Sequence, residues 1–138
     1  DSSAAALDVA RANASRAGAE RVRWLAGDLL EAIRPGAGLD AVVANPPYVA
    51  AGDPRLQRQV AEWEPPGALY AGPRGDEALD RLVAAAPSRL RPGGLLALET
   101  GDGQVADVRR RIEATPGLRW LTDFRDHAGT PRLTSISR

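Results

Sequence analysis

The stretch LDAVVANPPYVA, residues 39–50, is an apolar run that ends in Asn45 and is followed by Pro46 and Pro47. Apart from Asp40, residues 39–44 are apolar on both faces, as expected for a parallel strand that helices cover. The residue before a proline takes an extended conformation, and each proline fixes φ and removes a backbone donor. The sequence therefore predicts a buried strand that ends in a rigid corner, which exposes backbone carbonyls and holds the Asn45 side chain in one direction.

The corner after this strand offers hydrogen-bond acceptors without competing N–H donors. Those acceptors suit a substrate that presents an NH2 group, and Tyr48 adds an aromatic face for a planar group or for a developing positive charge. The alternative is a plain loop with a Pro-Pro step, and the four residues alone do not decide between the two. The position at the end of an apolar strand favours a binding site.

Helical and extended patterns alternate on both sides of this corner. The alternation predicts an α/β sandwich with a mainly parallel sheet, in which ligands bind at the carboxyl ends of the strands. Three segments fall at such ends, namely Gly27-Asp28, Asn45–Tyr48 and Glu99–Gly101. The predicted elements are helices over 2–17, 76–90 and 104–115, one helical turn over 29–33, a long loop over 49–74, and strands over 22–26, 39–44, 95–99, 118–124 and 133–136, the last one antiparallel.

The composition limits the class of protein. The 138 residues suffice for one domain, and 18 basic residues balance 18 acidic ones, so the charge gives no sign of a nucleic-acid or membrane surface. Without cysteine and with a single histidine, the chain is not expected to hold a metal, and the lack of cysteine fits a cytoplasmic protein. The chain has no methionine and begins at Asp1, so we expect it to be part of a longer product.

The corner also carries a resemblance to a known family. An asparagine or aspartate, two prolines and an aromatic residue after a strand are the signature of S-adenosylmethionine-dependent methyltransferases that act on planar NH2 groups. NPPY alone is shared with DNA methyltransferases, but the order of the surrounding segments resembles the release factor glutamine methyltransferase (HemK/PrmC) family over essentially the whole chain. These segments are DSSAAALDVARANA, GDLLEAI, LDAVVANPPYVA, EWEPPGALYAG, RPGGLLALETGDGQ and RDHAGTPRLTSISR.

The resemblance implies both a fold and an activity. The fold is a Rossmann-like class I S-adenosylmethionine-dependent methyltransferase sandwich, with a mainly parallel sheet and a C-terminal antiparallel strand. The activity is methyl transfer from S-adenosylmethionine to the side-chain amide nitrogen of a glutamine in peptide chain release factor, the expected protein partner. The family's first strand, glycine-rich donor loop and N-terminal helical domain would precede Asp1. Residues 1–138 are therefore expected to be a partial catalytic domain, incomplete at the N-terminus, that does not bind the donor alone.

Residues for the methyl donor follow from the same resemblance. Asp1 matches the acidic residue that holds the ribose hydroxyls, and Asp28, with Leu29 beside it, matches the residue near the adenine amino group. Asn45 is also expected to contact the donor. The structural alternatives are a terminal residue or helix cap for Asp1 and a surface turn for Asp28.

Residues for the acceptor lie in the corner. Asn45 and the Pro46 carbonyl match the groups that bind the amide NH2, Pro47 completes the rigid step, and Tyr48 matches the aromatic wall. Glu99 is interpreted as either a pocket residue or a member of a structural ion pair. The resemblance leaves other outcomes open, namely a ribosomal-protein glutamine, adenine N6 in nucleic acid, or a non-catalytic fragment. Neutral charge argues against nucleic acid, since phosphate contacts need clustered basic residues.

Two further features are expected to have no role in binding or catalysis. The charge run Arg109–Arg111 is expected to be the solvated face of a helix, because successive helical residues point in different directions. His127 is expected to lie in a turn without a catalytic role.

Overall fold

The structure is a computed structural model that describes the backbone of residues 1–137 and the side chains of residues 1–131. The chain forms two compact units, of which the first is Asp1–Arg34 and the second begins at Pro35. The helices are α1 Ala4–Arg16, α2 Arg58–Trp63, α3 Pro66–Leu69, α4 Glu77–Arg89 and α5 Val105–Ala114. The strands are β1 Leu39–Ala44, β2 Val49–Ala50, β3 Tyr70–Gly72, β4 Leu90–Glu99, β5 Arg119–Arg125 and β6 Pro131–Ser137.

The main sheet of the second unit has the strand order β1-β4-β6-β5. Strand β1 pairs with β4 in parallel, and β6 runs antiparallel to both β4 and β5. Three of the four strands therefore run in one direction, which confirms a mainly parallel sheet with a C-terminal antiparallel strand. The prediction that β1 is a buried strand is wrong, because β1 ends the strand order of this sheet, only Val42 in it is buried and Val43 is 78% exposed.

Two amphipathic helices supply the core against this sheet. Helix α4 buries its apolar stripe and packs on β4 and on α5, while α5 packs on β5 and β6. The fully buried side chains include Leu79, Leu96, Leu98, Val108 and Ile112. Both helices match the sequence predictions to within a residue or two at each end, because their apolar residues recur at the helical period.

The turn that joins α4 to the sheet differs from the prediction in one respect. Leu39 pairs with Leu90 and Ala41 pairs with Leu95, so the residues between Leu90 and Leu95 bulge out of the strand. The predicted RPGG turn before the strand is therefore wrong, since these residues form a bulge within β4. Gly94 is required there, because a Cβ atom would lie 3.0 Å from the Leu39 carbonyl oxygen.

The first unit contains α1 and a non-regular segment. The Ser3 side chain caps α1 by accepting the Ala6 N–H at 3.2 Å, and Leu7 and Leu30 are buried. The predicted strand over Val22–Ala26 is wrong, since these residues join no ladder. An alternating pattern specifies an extended backbone. A strand of a sheet also needs a neighbouring strand whose backbone N–H and C=O groups hydrogen-bond to its own.

The prediction of a long loop over residues 49–74 is also wrong. Strands β2 and β3 form a small parallel sheet, and the Ala51 N–H donates to the Gly72 carbonyl at 2.9 Å. Helices α2 and α3 lie between these strands. Pro66 stands in the first turn of α3, where a missing N–H costs no helical hydrogen bond.

No helix among the described residues is long and apolar enough to cross a membrane.

Candidate functional site

The Pro-Pro corner follows β1 directly and sits beside the end of β4. Ala44 pairs with Leu98 in the parallel ladder, so the segments after the two strands emerge at the same edge of the sheet. Pro46 is buried, whereas Asn45 is exposed. The Asn45 side chain makes no hydrogen bond to any residue that the structure describes, so its amide is available to a ligand.

Tyr48 links the corner to the end of β4. Its side chain is partly buried, and its hydroxyl donates to Glu99 Oε1 at 3.4 Å. The sequence predicts for Glu99 either a role in a pocket or a structural ion pair. Its hydrogen bond with Tyr48 places it next to the corner. The segments Asn45–Tyr48 and Glu99–Gly101 are therefore brought together, as expected for the carboxyl ends of neighbouring parallel strands.

Gln104 is a site residue that the sequence interpretation missed. Its Oε1 accepts the Gly101 N–H at 2.8 Å, and its Nε2 donates to the carbonyl oxygens of Tyr48 at 3.1 Å and Gly75 at 2.9 Å. A signal was present in the sequence, because Gln104 follows the predicted strand end at Glu99 and opens a helix at the ligand-binding edge.

Two glycines let these segments approach closely. A Cβ atom on Gly101 would lie 2.9 Å from Gln104 Oε1 and 3.1 Å from Tyr48 Cδ2. A Cβ atom on Gly75 would lie 2.5 Å from the Ala50 backbone nitrogen, and Gly75 has a φ of +83°. A larger residue at Gly75 would therefore clash with backbone atoms, and a larger residue at Gly101 would push aside the Gln104 amide.

A cavity of about 240 Å³ opens beside the Tyr48 ring. Arg55 hydrogen-bonds to Asp53 through its Nε, its Nη2 and its backbone N–H. The hydrogen bond from the Arg55 side chain lowers the pKa of Asp53 to about 2. The cavity is lined by Tyr48, Val49, Asp53, Arg55, Leu56, Gly101, Asp102 and Gln104. It is thus a small space with an aromatic wall and charged groups.

The loop before α4, which carries Gly75, is held by the Glu77 carboxylate. That carboxylate accepts the backbone N–H groups of Arg74, Gly75 and Asp76 at 2.9–3.1 Å. The hydrogen bond from the Arg74 N–H is the largest cause that lowers the pKa of Glu77. The carboxylate therefore remains ionised at neutral pH and keeps the loop in place.

Arg111 supports the same loop from α5. It pairs with Asp76 and, through its Nε at 2.5 Å, with Asp80 Oδ1. Burial raises the pKa of Asp76, but hydrogen bonds from Arg111 and Arg74 outweigh it and hold that pKa below its ordinary value. The predicted solvated face is therefore wrong for Arg111, because only part of a helical charge run points to solvent.

The residues expected to hold the donor lie in the first unit. The Gly27 N–H donates to the Asp1 carbonyl at 3.0 Å, so Asp1 and the Gly27-Asp28 turn are neighbours. Asp1 and Asp28 are exposed, and Asp1 Oδ1 accepts the Ser3 N–H at 2.8 Å. Leu29 has a φ of +47°, a left-handed conformation that is uncommon for a residue with a branched side chain.

The described residues contain no group of three or more histidine, cysteine or acidic side chains that could hold a metal ion. His127 is exposed and lies in a turn between β5 and β6.

Comparisons with known proteins give the chain its context. No family model matches. The chain is 44% identical over 134 residues to a release factor glutamine methyltransferase of Xylella fastidiosa, covering 97% of this chain and 48% of that protein. Identities to proteins of the same name are 45% in Bordetella pertussis and 46% in Moorella thermoacetica, covering 49% and 47% of those proteins. The chain thus spans about half the length of the curated relatives it matches.

A solved structure agrees with these relatives. It is that of the E. cuniculi Mtq2–Trm112 complex, responsible for the methylation of the translation termination factor eRF1, with a TM-score of 0.55 and 25% identity. The alignment covers 91% of this chain and 68% of that one. The fold is thus that of part of a Rossmann-like methyltransferase. Within that class, the chain is homologous over nearly its whole length to release factor glutamine methyltransferases, which confirms the resemblance seen in the sequence.

Proposed function

We propose that the protein transfers a methyl group from S-adenosylmethionine to the side-chain amide nitrogen of a glutamine in peptide chain release factor. The observation that carries the proposal is the exposed Asn45 amide, held on a rigid corner at the end of β1. The names of the relatives support the choice of reaction and acceptor.

The donor would be held in part by the first unit. Asp1 Oδ2 makes no hydrogen bond to a residue that the structure describes, so it can accept from a ribose hydroxyl. The exposed Asp28 carboxylate can accept from an adenine amino group, and the partly buried Leu29 side chain offers an apolar surface beside it. These residues fit a nucleoside. When bound, S-adenosylmethionine supplies an electrophilic methyl group on a sulfonium.

Asn45 and Pro46 would orient the acceptor. An amide nitrogen is a poor nucleophile, because its lone pair is delocalised into the carbonyl. The Asn45 side-chain oxygen and the Pro46 carbonyl would accept the two hydrogens of the acceptor NH2. Such fixed acceptors favour the positive charge that develops on that nitrogen, and alignment alone can supply roughly 7–11 kcal/mol in favourable cases. Once alkylated, the nitrogen loses its proton to water, and no strong general base is needed.

Tyr48 and the cavity beside it would receive the acceptor side chain. The tyrosine ring can stabilise positive charge on the nitrogen through its face. A glutamine side chain that contacts the corner would extend beside the Tyr48 ring into this cavity of about 240 Å³, whose lining includes Tyr48 but neither Asn45 nor Pro46. Its Asp53–Arg55 pair lies in the cavity lining, where it can meet polar groups that flank the glutamine.

The test is to incubate the product of the whole gene with S-adenosylmethionine and unmodified release factor from the same source. Peptide mass spectrometry then locates any added methyl. The proposal predicts one methyl on a glutamine side chain of release factor and none when that glutamine is replaced by asparagine. No methyl on release factor, with donor binding demonstrated, would overturn the acceptor and direct the search to ribosomal-protein glutamine or adenine.

A further inference from the structure

Gln104 occupies the N-cap position of α5, yet its side chain does not cap that helix. Instead, both amide hydrogens and the side-chain oxygen form hydrogen bonds with other segments. A glutamine amide has two N–H donors and one carbonyl oxygen, so each of its polar groups is engaged. Gln104 therefore makes no capping hydrogen bond to α5, and its side chain instead bonds to residues that are distant in sequence.

Three segments meet at this amide. Gln104 is 56 residues from Tyr48, 29 residues from Gly75 and 3 residues from Gly101. A Cβ atom on Gly75 would clash with the Ala50 backbone, and a Cβ atom on Gly101 would displace the end of the Gln104 side chain. The amide therefore lies where the corner, the loop before α4 and the loop after β4 come together.

The contact with Tyr48 is made to its backbone rather than to its side chain. Pro46 and Pro47 fix φ at two successive residues, and Pro47 also restricts ψ of Pro46, but neither proline restricts ψ of Pro47 or the backbone of Tyr48. A hydrogen bond to the Tyr48 carbonyl restrains the chain just after the two prolines. The corner is thus fixed from within by its prolines and from outside by Gln104.

We infer that Gln104 is a positioning residue for methyl transfer, which acts by holding the Tyr48 backbone and through it the Asn45 amide and the Tyr48 ring. This inference rests on the proposed function. Gln104 also lines the cavity beside the Tyr48 ring, so its restraint operates next to the space assigned to the acceptor.

Replacing Gln104 by alanine removes both donors and the acceptor. The Tyr48 and Gly75 carbonyl oxygens then accept hydrogen bonds from water instead. The corner loses the hydrogen bond that restrains the Tyr48 backbone. Displacement of a reacting group by about 1 Å can cost on the order of 100-fold in rate, so we expect kcat to fall about 10- to 100-fold in Gln104→Ala. The residues expected to hold the nucleoside lie in the first unit, so donor affinity should change much less than kcat, with Asn45 as the donor contact that the substitution can affect.

Two further variants separate positioning from bulk effects. Gln104→Glu keeps the size of the side chain and the acceptor for the Gly101 N–H, but places an oxygen against two carbonyls. Its kcat should be as low as that of Gln104→Ala at pH 8, and should recover in part at lower pH as the protonated carboxyl regains one donor. Gln59→Ala is the matched control, because Gln59 is exposed on α2, and its kcat should equal that of wild type.

The experiment measures kcat, KM and donor affinity for these variants in the product of the whole gene. Exchange of the Gln104 side-chain amide protons in wild-type protein is followed by NMR alongside, which needs no activity. We expect Gln104 to exchange more slowly than Gln59. A kcat for Gln104→Ala within about twofold of wild type, or equal exchange at Gln104 and Gln59, overturns the inference.

Failure of the proposed function gives a different pattern. A wild-type protein that leaves release factor unmodified refutes the acceptor, and the variants are then compared on whichever acceptor it does methylate. If Gln104→Ala does not fold, the pH profile of Gln104→Glu and the exchange measurement decide the inference. If kcat of Gln104→Glu relative to wild type did not change with pH, the inference that Gln104 positions the corner would be refuted.

Discussion

The Tyr48 hydroxyl donates to Glu99 Oε1 at 3.4 Å, joining the corner after β1 to the last residue of β4. The two residues are 51 positions apart in sequence, and the parallel pairing of β1 with β4 brings them together. The tyrosine ring is therefore anchored at its far end by one strand and at its backbone by Gln104.

The length of this hydrogen bond sets the effect of removing it. At 3.4 Å it is longer than a typical O–H···O contact, so its net contribution is small. We expect Tyr48→Phe, which keeps the ring, to reduce kcat by no more than about tenfold. Tyr48→Ala, which removes the aromatic wall, should reduce it by on the order of 100-fold. Steady-state kinetics on both variants check the order, and equal losses would show that the hydroxyl matters rather than the ring.

Gly75 and Gly103 form a matched pair for the close approach behind the corner. Both have positive φ, +83° and +79°, but a Cβ atom would clash with the Ala50 backbone only at Gly75. We expect Gly103→Ala to lower the free energy of unfolding by about 1–2 kcal/mol, the cost of a left-handed alanine. Gly75→Ala should cost about 1–3 kcal/mol more because of the clash. Denaturant unfolding of the two variants measures the difference, and equal losses would argue against the tight contact.

The depressed pKa of Asp53 predicts a pH dependence. Its folded value of about 2 lies below the ordinary 3.8, so the ionised carboxylate contributes stability above pH 3.8 that is lost as pH falls through about 2. The difference in unfolding free energy between wild type and Asp53→Asn should therefore be constant from about pH 5 to pH 9. A carboxyl titration by NMR should show a midpoint near 2 for Asp53. Arg55→Gln should raise this midpoint, and an Asp53 midpoint at its ordinary value in wild type would contradict the pairing.

The corner was predictable from sequence because proline chemistry is local. Pro46 and Pro47 set their own backbone and that of Asn45, whatever lies around them. The apolar periodicity of α4 and α5 was equally visible, since each helix needs only its own residues to define a buried face. The homology to known methyltransferases followed from the order of such segments.

The missed features depend on partners far away in the sequence. The alternation in Val22–Ala26 specifies an extended chain, but a ladder needs a second strand, and these residues join none. The contacts of Gln104 come from residues 29 and 56 positions away, and a glutamine at a helix start gives no local sign of them. The elements within residues 49–74 are short and depend on pairing between β2 and β3, which composition does not reveal.

The central claim is that the Asn45 side chain binds the acceptor amide. The measurement that tests it most directly compares methyl transfer and S-adenosylmethionine affinity in wild type and Asn45→Ala. The control is Asn13→Ala, because Asn13 is an exposed residue of α1. The account predicts that Asn45→Ala loses on the order of 100- to 1,000-fold in kcat while it still binds the donor, and that Asn13→Ala behaves as wild type. Transfer by Asn45→Ala at a rate near that of wild type would contradict the account.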